Sequence, residues 1–466
     1  MEKTKLKNLW DDIVESVRGT ERDFTEAKLG RAILLLAIPM VLEMLMESIF
    51  AVVDIYFVSK VGPDAVAAVG ITESVMTLVY AIGGGLSVAT TAMVARRIGE
   101  KNAEGASTAA VQAIFAGFSV SLLFSLPGIL FSKGLLRLMG ASTGVVETGY
   151  IYTAIIMGSN GLIILLFIIN AIFRSSGDAA VSMRVLWFAN IINIILDPCL
   201  ILGLGPFPEL GVKGAAIATA TGRGLAVVYQ FFLLFKGKRR VKILLKQFKV
   251  NFAVMKQLFY LSLGGIGQAL IATTSWIGLI RIIAVFGSEV LAGYTIAIRI
   301  VIFSLLPAWG LSNAASTLVG QNLGAKKPGR AERAVWVTGF ANTVFLGIIG
   351  VIFIFFSEPL VRFFIQEAGV VVNGSACLRF LAYGYLFYAF GMVIIQGFNG
   401  AGDTVTPMKI NFFCFWLLEI PLAWVLALPM GIKEKGVYMA ILIAESTMTI
   451  VGIIIFRRGK WKKRKV

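Results

Sequence analysis

Twelve apolar runs follow one another between residues 31 and 457, each long enough to cross a bilayer as a helix of about 20 residues. They lie near 31–60, 65–95, 105–131, 146–172, 179–204 and 211–236, then near 259–286, 290–320, 331–356, 376–398, 405–430 and 436–457. Of the 466 residues 58% are hydrophobic and 15% charged, and the mean hydropathy is +0.84. A soluble domain carries roughly 45–50% apolar and about 25% charged residues. Disordered chains, fibrous repeats and almost all cytosolic enzymes are excluded. The fold class is an all-α polytopic membrane protein.

An internal repeat sets the arrangement of the spans. The shift that carries Gly62-Pro63-Asp64 onto Gly287-Ser288-Glu289 also carries Val94–Gly99 onto Val319–Gly324. Gly177-Asp178 then falls on Gly402-Asp403, and Gly211-Val212 on Gly436-Val437. Six spans per copy is an even number, so both copies enter the membrane in the same direction. The expectation is two six-helix lobes related by a pseudo-two-fold axis along the membrane normal, with a cleft between them. That is transporter architecture.

The domains read as an N-terminal arm (1–30), an N-terminal lobe (31–236), a basic inter-lobe linker (237–258), a C-terminal lobe (259–457) and a basic tail (458–466). In the arm, Leu6, Leu9, Trp10, Ile13, Val14 and Val17 recur at helical spacing. They suit an amphipathic helix on the membrane surface, or a solvated arm. The linker suits a similar surface segment.

Lys and Arg number 43 against 26 Asp and Glu, a net charge of +17. Most of the basic residues sit in the arm, the even-numbered loops and the tail, and a scattered few, such as Lys60, Lys133 and Arg362, on the other side. This bias places both termini in the cytoplasm and removes the nucleic-acid reading of the charge. Cys199, Cys377 and Cys414 all fall within apolar runs, and the chain has no His. No disulfide framework or metal spacing follows. The first 30 residues show no cleavable signal.

Ionisable residues inside spans mark function by default. The first span carries Glu43, Glu47 and Asp54, which share one stripe at about 100° per residue. Each reads as a cavity-facing acid or as an interfacial acid hydrated at the leaflet. The fifth span repeats the pattern with Asn190, Asn193 and Asp197 on one face, followed by Pro198. Carboxylate, carboxamide and a carbonyl freed by proline are oxygen ligands of the kind hard cations take. Pro39 frees a carbonyl in the first span in the same way. It reads as a functional hinge or as a plain structural kink.

Counted inward at about 1.5 Å per residue, Asp54, Asp197, Thr219 of the sixth span and Tyr152 of the fourth share a level roughly 10 Å inside the outer face. A single polar chamber in the N-terminal lobe is the expectation. The repeat supplies an internal control, because Asp54, Asn193 and Asp197 fall on Leu279, Leu418 and Leu422. The fold alone accepts leucine there. The C-terminal lobe holds Arg281, Arg299, Glu419 and Glu445, of which the last three share a depth and read first as a mutually paired buried cluster and second as substrate contacts.

Several segments carry a family resemblance: DFTEAKLGRAILLLAIPM (23–40), VVDIYFVSKVG (52–62), VARRIGEKNAEGA (94–106), GVKGAAIATATG (211–222) and VGQNLGAKKPGRAERA (319–334). Across residues 20–457 the chain resembles the multidrug and toxic compound extrusion (MATE) transporters. The resemblance implies export of organic cations and other amphipathic drugs against inward Na⁺ or H⁺. It implies coupling-cation roles for Asp54, Asn193, Asp197, Ala215 and Thr219, with Na⁺ held by Asp54, Asn193, Asp197 and Thr219. Tyr152 and Asn170 match the polar positions of the fourth helix, although Asn170 counts to near the inner end. Pro39 matches the bending proline. Glu47 and Asn190 are added as substrate-facing residues from their position on the polar stripes. The NorM branch carries acids in helices 7 and 10; here Gln268 stands in the seventh span and no acid does. The chain is therefore closer to the DinF-like members.

The expected function is a cation-coupled antiporter working by alternating access, with no cofactor beyond Na⁺ or H⁺ as coupling ion. Its partners are amphipathic drugs and membrane lipid, without nucleic acid, and a monomer suffices. The expected location is the cytoplasmic membrane of a prokaryote. The rival is a flippase for lipid or lipid-linked oligosaccharide, which would need a basic central cavity where this chain places acids. A membrane-embedded enzyme would need a nucleophile, base or metal constellation that the sequence lacks.

Overall fold

The computed structural model describes residues 2–20, 22–236, 240–244 and 247–466. A helix α1 (Glu2–Arg18) precedes the first span, α2 (Leu29–Ser59). The N-terminal lobe continues with α3 (Pro63–Gly99), α4 (Ala103–Leu130), the short α5 (Ser132–Leu138), α6 (Thr143–Gly158), α7 (Asn160–Ser176), α8 (Ala179–Leu202) and α9 (Val212–Lys236). The C-terminal lobe comprises α10 (Phe252–Ile283), α11 (Ser288–Gly324), α12 (Pro328–Arg362), α13 (Ala368–Gly400), α14 (Val405–Asn411), α15 (Ile420–Ala427) and α16 (Glu434–Arg457). Among the described residues, 12 spans are long and apolar enough to cross a membrane. Large side chains such as Leu123, Phe340 and Phe355 stand exposed on their outer faces, as a lipid-facing perimeter requires.

Local chemistry sets the helix ends. Asn102 caps α4 by accepting from the Gly105 N–H at 2.8 Å, and Asn251 caps α10 from the Val254 N–H at 3.2 Å. Pro63 and Pro328 stand in the first turns of α3 and α12, where no N–H is needed. The seventh span thus begins at Phe252, seven residues before the sequence estimate. Residues 237–239, 245 and 246 of the expected linker lie outside the described residues, as do the side chains of Leu6 and Leu9.

Two spans depart from a simple helix. The fourth is broken at Ser159 between α6 and α7. The freed groups find partners: Asn160 donates to Ser125 Oγ at 3.1 Å and to the Met157 carbonyl at 2.5 Å, and Ser125 donates to the Gly158 carbonyl at 3.1 Å. The eleventh span carries a π-helical stretch, Phe412–Glu419, between α14 and α15.

The lobes meet in pairs that obey the sequence repeat. A Cβ on Gly99 would overlap the Gln321 carbonyl, and one on Gly324 would overlap that of Arg96. Gly99 and Gly324 are repeat equivalents, and so are Arg96 and Gln321. Higher up, a Cβ on Gly85 would lie 2.7 Å from the Ile266 nitrogen, and one on Gly310 would lie 2.8 Å from that of Val41. These two contacts are again images of each other. Gly320 meets Ala95, its own equivalent, so the pseudo-two-fold axis passes between them. An inter-lobe cluster of Phe24, Leu36, Met40, Ala314 and Leu318 completes the closure.

The closed end is the one that bears the basic loops, and both chain termini cross it. Beyond α16, Trp461 is fully buried and stacks on Phe456 at 4.5 Å. The tail then reaches the N-terminal lobe: Arg96 donates to the Arg464 carbonyl at 3.1 Å and Arg97 to the Val466 carbonyl at 3.2 Å. In the opposite sense Lys327 of the C-terminal lobe donates to the Thr25 carbonyl at 3.0 Å, and Arg330 to that of Phe24 at 3.1 Å. Helix α1 packs on α2, where Arg31 pairs with Asp12 at 2.5 Å and Glu15 at 2.8 Å.

Candidate functional site

The polar face of α8 points into the N-terminal lobe. Asn190, Asn193 and Asp197 are 4%, 3% and 0% exposed, so water does not satisfy them. With its amide oriented to suit both neighbours, Asn193 donates to Asp197 Oδ2 at 2.9 Å. Its carbonyl accepts from the Thr219 hydroxyl at 3.1 Å and the Thr219 N–H at 2.9 Å. Ala215, fully buried one turn earlier on α9, lets α8 and α9 pack closely enough for this contact. Asp197 Oδ1 has no hydrogen-bond partner, and Asp54 of α2 faces it. Asp197 is wholly buried and Asp54 half-buried, and two carboxylates that face each other favour a shared cation or proton.

A second group adjoins the first. Asn190 donates to Glu47 Oε2 at 3.1 Å, joining α8 to α2. Tyr80 of α3 donates to Glu73 Oε2 at 3.2 Å. Arg223 of α9 faces Tyr80, Glu47 and Glu73, and its guanidinium lies 5.9 Å from the Phe50 ring centre. Tyr152, 4% exposed, faces Glu73 and Asp54. The structure thus brings Asp54, Asp197, Thr219 and Tyr152 into one region, together with Glu47 and Asn190.

Sequence reasoning missed Glu73, Tyr80 and Arg223. The signal was present, since Glu73 and Arg223 are ionisable residues inside spans. Neither belongs to a repeated polar stripe, and for that reason neither stood out.

Asn170 lies in a different network, toward the closed end. Arg174 donates to Glu43 Oε1 at 2.7 Å, and Asn170 approaches the same oxygen at 3.5 Å. Gln230 donates to Asn170 Oδ1 at 2.6 Å. Glu43 is 1% exposed, so it is a buried ion-pair partner rather than an interfacial acid. Its partner Arg174 on α7 was not anticipated. Pro39 is buried one turn before Glu43, and α2 runs through it without a break.

In the C-terminal lobe the expected cluster is corrected. Glu419 and Glu445 face each other across a cavity of about 450 Å³. Arg299 and Arg281 lie exposed, and among the described residues no ion pair joins either to those acids. Depth along a helix was right for this set; direction around the helix was not.

The described residues contain no group of three or more metal-ligating side chains of the His, Cys, Asp or Glu type. What the N-terminal lobe offers is two acids supplemented by amide, hydroxyl and backbone oxygens. That donor set fits a monovalent cation or a proton carried as substrate.

Comparison with known proteins follows the same two-lobe division. The MatE family profile matches residues 39–199 and 266–425, one block in each lobe. The chain is 25% identical over 445 residues to a protein of Thermotoga maritima named probable multidrug resistance protein NorM, covering 94% of both chains. It is 28% identical over 437 residues to a Shewanella oneidensis FAD transporter, covering 92% of this chain and 94% of that one. A solved structure described as the outward-facing conformation of a multidrug resistance MATE family transporter superposes with a TM-score of 0.88 at 25% identity. It covers 95% of this chain and 98% of its own.

Proposed function

Because the chain belongs to the MatE family, and is therefore a membrane transporter rather than an enzyme, we propose that it exports amphipathic organic cations in exchange for Na⁺ or H⁺. The observation that carries this reading is the fully buried Asp197 with one unpartnered oxygen, opposite Asp54 and held by Asn193 and Thr219. The coupling ion enters there as substrate. Asp54, Asp197, Asn193 and Thr219 supply oxygens to Na⁺, or the two acids share a proton. Ala215 keeps the α8–α9 contact close.

Neutralising the Asp54–Asp197 pair relieves a repulsion between α2 and α8. Pro39 gives α2 the place to bend, the drug site beside Tyr152, Glu47 and Asn190 narrows, and drug leaves on the open side. The lobes then rock about the pseudo-two-fold axis, the ion departs and drug rebinds. We place both termini and the closed end in the cytoplasm of a prokaryote, from the excess of Lys and Arg there. Confinement of the coupling acids to the N-terminal lobe supports a DinF-like rather than a NorM-like member. A monomer contains the whole path.

One relative supports a second reading. The Shewanella oneidensis FAD transporter is named for an anionic cargo, and this chain has Arg174 and Arg223 in its N-terminal lobe. Each of those cations already faces carboxylates, which favours a cationic cargo. The same acids disfavour a lipid-pyrophosphate flippase.

The test is efflux of a fluorescent organic cation from proteoliposomes under a Na⁺ or an H⁺ gradient, imposed separately. One gradient is expected to accelerate efflux at least tenfold, with the gain lost in Asp54→Asn and Asp197→Asn while expression is kept. Indifference to both gradients would sink the antiporter reading.

A further inference from the structure

The proposed coupling site leaves the C-terminal lobe without a task, yet that lobe holds a built cavity of its own. Its walls come from α10, α11, α13, the π-helical stretch and α16, and its volume is about 450 Å³. Ligand pockets for drug-sized molecules run from about 300 to 1,000 Å³ and pair apolar walls with a few placed polar groups. Here the walls are aromatic: Trp276, Trp309, Tyr294, Tyr385, Tyr388 and Phe415. Trp276 and Trp309 are 38% and 43% exposed, so the cavity is open on that side.

Two acids complete it. Glu419, 5% exposed, ends the π-helical stretch and accepts from the Ser275 hydroxyl at 2.7 Å. Glu445 of α16 faces it, and Glu445 Oε2 has no hydrogen-bond partner. Asn411, 8% exposed, also lines the cavity with its Oδ1 unpartnered. Buried acceptors without donors signal a missing partner. Among the described residues no cation fills the role, since Arg299 and Arg281 lie exposed. π-Helical insertions gather at functional sites, because one added residue rotates the side chains that follow. Here the rotation ends on Glu419.

The chemistry selects the ligand class. A small inorganic cation takes a shell of several close oxygens, whereas these two carboxylates stand among rings and the thioethers of Met392 and Met448. Aromatic faces attract an organic cation through the ring quadrupole, and Met adapts to its shape. We propose that this cavity is a second binding site, in the C-terminal lobe, for a lipophilic organic cation whose charge rests between Glu419 and Glu445. It deepens the export reading above, giving the cargo a place separate from the coupling acids, and it rests on that reading for the ligand's identity.

Tetraphenylphosphonium is the probe, titrated calorimetrically into the full chain in lipid nanodiscs. The Glu419→Gln/Glu445→Gln double variant is expected to lose one bound ion per chain, or to bind it at least tenfold more weakly. Glu358→Gln, at an exposed acid outside both sites, is expected to keep it, and Glu445→Asp, which retains the charge, is expected to bind more tightly than the double variant. A photoreactive derivative of the same cation should label Trp276 or Tyr388 in the native chain and spare them in the double variant. Unchanged stoichiometry, affinity and labelling in a double variant that elutes and melts as native would overturn the site. The two readings separate cleanly. Labelling of Trp276 without gradient-driven efflux keeps the site and removes the antiporter; gradient-driven efflux with a double variant that binds as native does the reverse.

Discussion

Glu43 and Arg174 meet at 2.7 Å with side-chain exposures of 1% and 12%. Removing one member of such a pair leaves the other charged and unsolvated, at a cost of about 3 kcal/mol. Glu43→Gln is therefore expected to lower the thermal unfolding midpoint in detergent markedly, and Glu43→Asp less. A midpoint unchanged in Glu43→Gln would show that water reaches Arg174. At this scale the sequence was informative where polar residues repeat at helical spacing: the Asn193–Asp197 contact and its approach to Thr219 were visible in advance. It was blind where one residue acts alone. Arg174 lies near the end of its span, where a basic residue belongs to the usual charge bias, and nothing in its neighbours announces that it turns inward to Glu43. Arg299 erred the other way, since equal depth with Glu419 said nothing of which side of α11 it occupies.

Single elements show why direction is harder to read than length. The twelve spans follow from hydropathy alone. The π-helical stretch Phe412–Glu419 is apolar from Phe412 to Leu418 and holds neither Gly nor Pro, so no residue within it marks the inserted residue. It shifts the angular phase assumed for an ideal helix and moves Glu419 away from the direction that a 100° count assigns. The break at Ser159 is similarly quiet, being sealed by Asn160 and Ser125 from within.

Helix α1 offers a test at this scale because its anchor titrates outside the membrane. Partial burial pushes the Glu15 carboxyl up, but hydrogen bonds from Thr20 and Arg22 and the charges of Arg22 and Arg31 outweigh it, and the net shift is downward. A carboxyl lowered in the docked state stabilises docking above its free value near 4.5. That contribution is lost as pH falls through the lower docked value. Protection of the Trp10–Arg18 amides, taken relative to their intrinsic exchange at each pH, is expected to be high at pH 6 and to fall below about pH 4.5, and Glu15→Gln should remove that pH dependence of the protection. Exchange that is fast at both pH values would mean that Glu15 does not hold the helix.

The whole molecule is governed by its repeat. Gly99 against Gln321 and Gly324 against Arg96 are two copies of one contact, so they should respond alike to the same insult. Gly99→Leu and Gly324→Leu are each expected to hold the lobes apart at the basic end and to cut gradient-driven efflux by a similar factor. Labelling of a cysteine introduced at Ser316 from that side should rise in both. A large effect in one and none in the other would mean that the repeat no longer operates as a mechanical pair. The repeat and the even span count imply this axis, but not that glycine backbone would approach so closely beside it.

That lining has a mechanical meaning. Where long side chains interlock, parting two surfaces requires each to leave its groove, and the motion proceeds in jerks over successive barriers. Ala95, Gly99, Gly320 and Gly324 present a nearly toothless bearing. Separation at those four residues unmeshes nothing, and the resistance comes from the side chains beside them, where Arg96 donates to the Ala401 carbonyl and Gln321 to the Ser175 carbonyl. At the rim the two terminal segments add further ties between the lobes. On the alternating-access cycle proposed above, Trp461 and the turn before α2 would act as removable pins through this joint, since both terminal segments tie one lobe to the other.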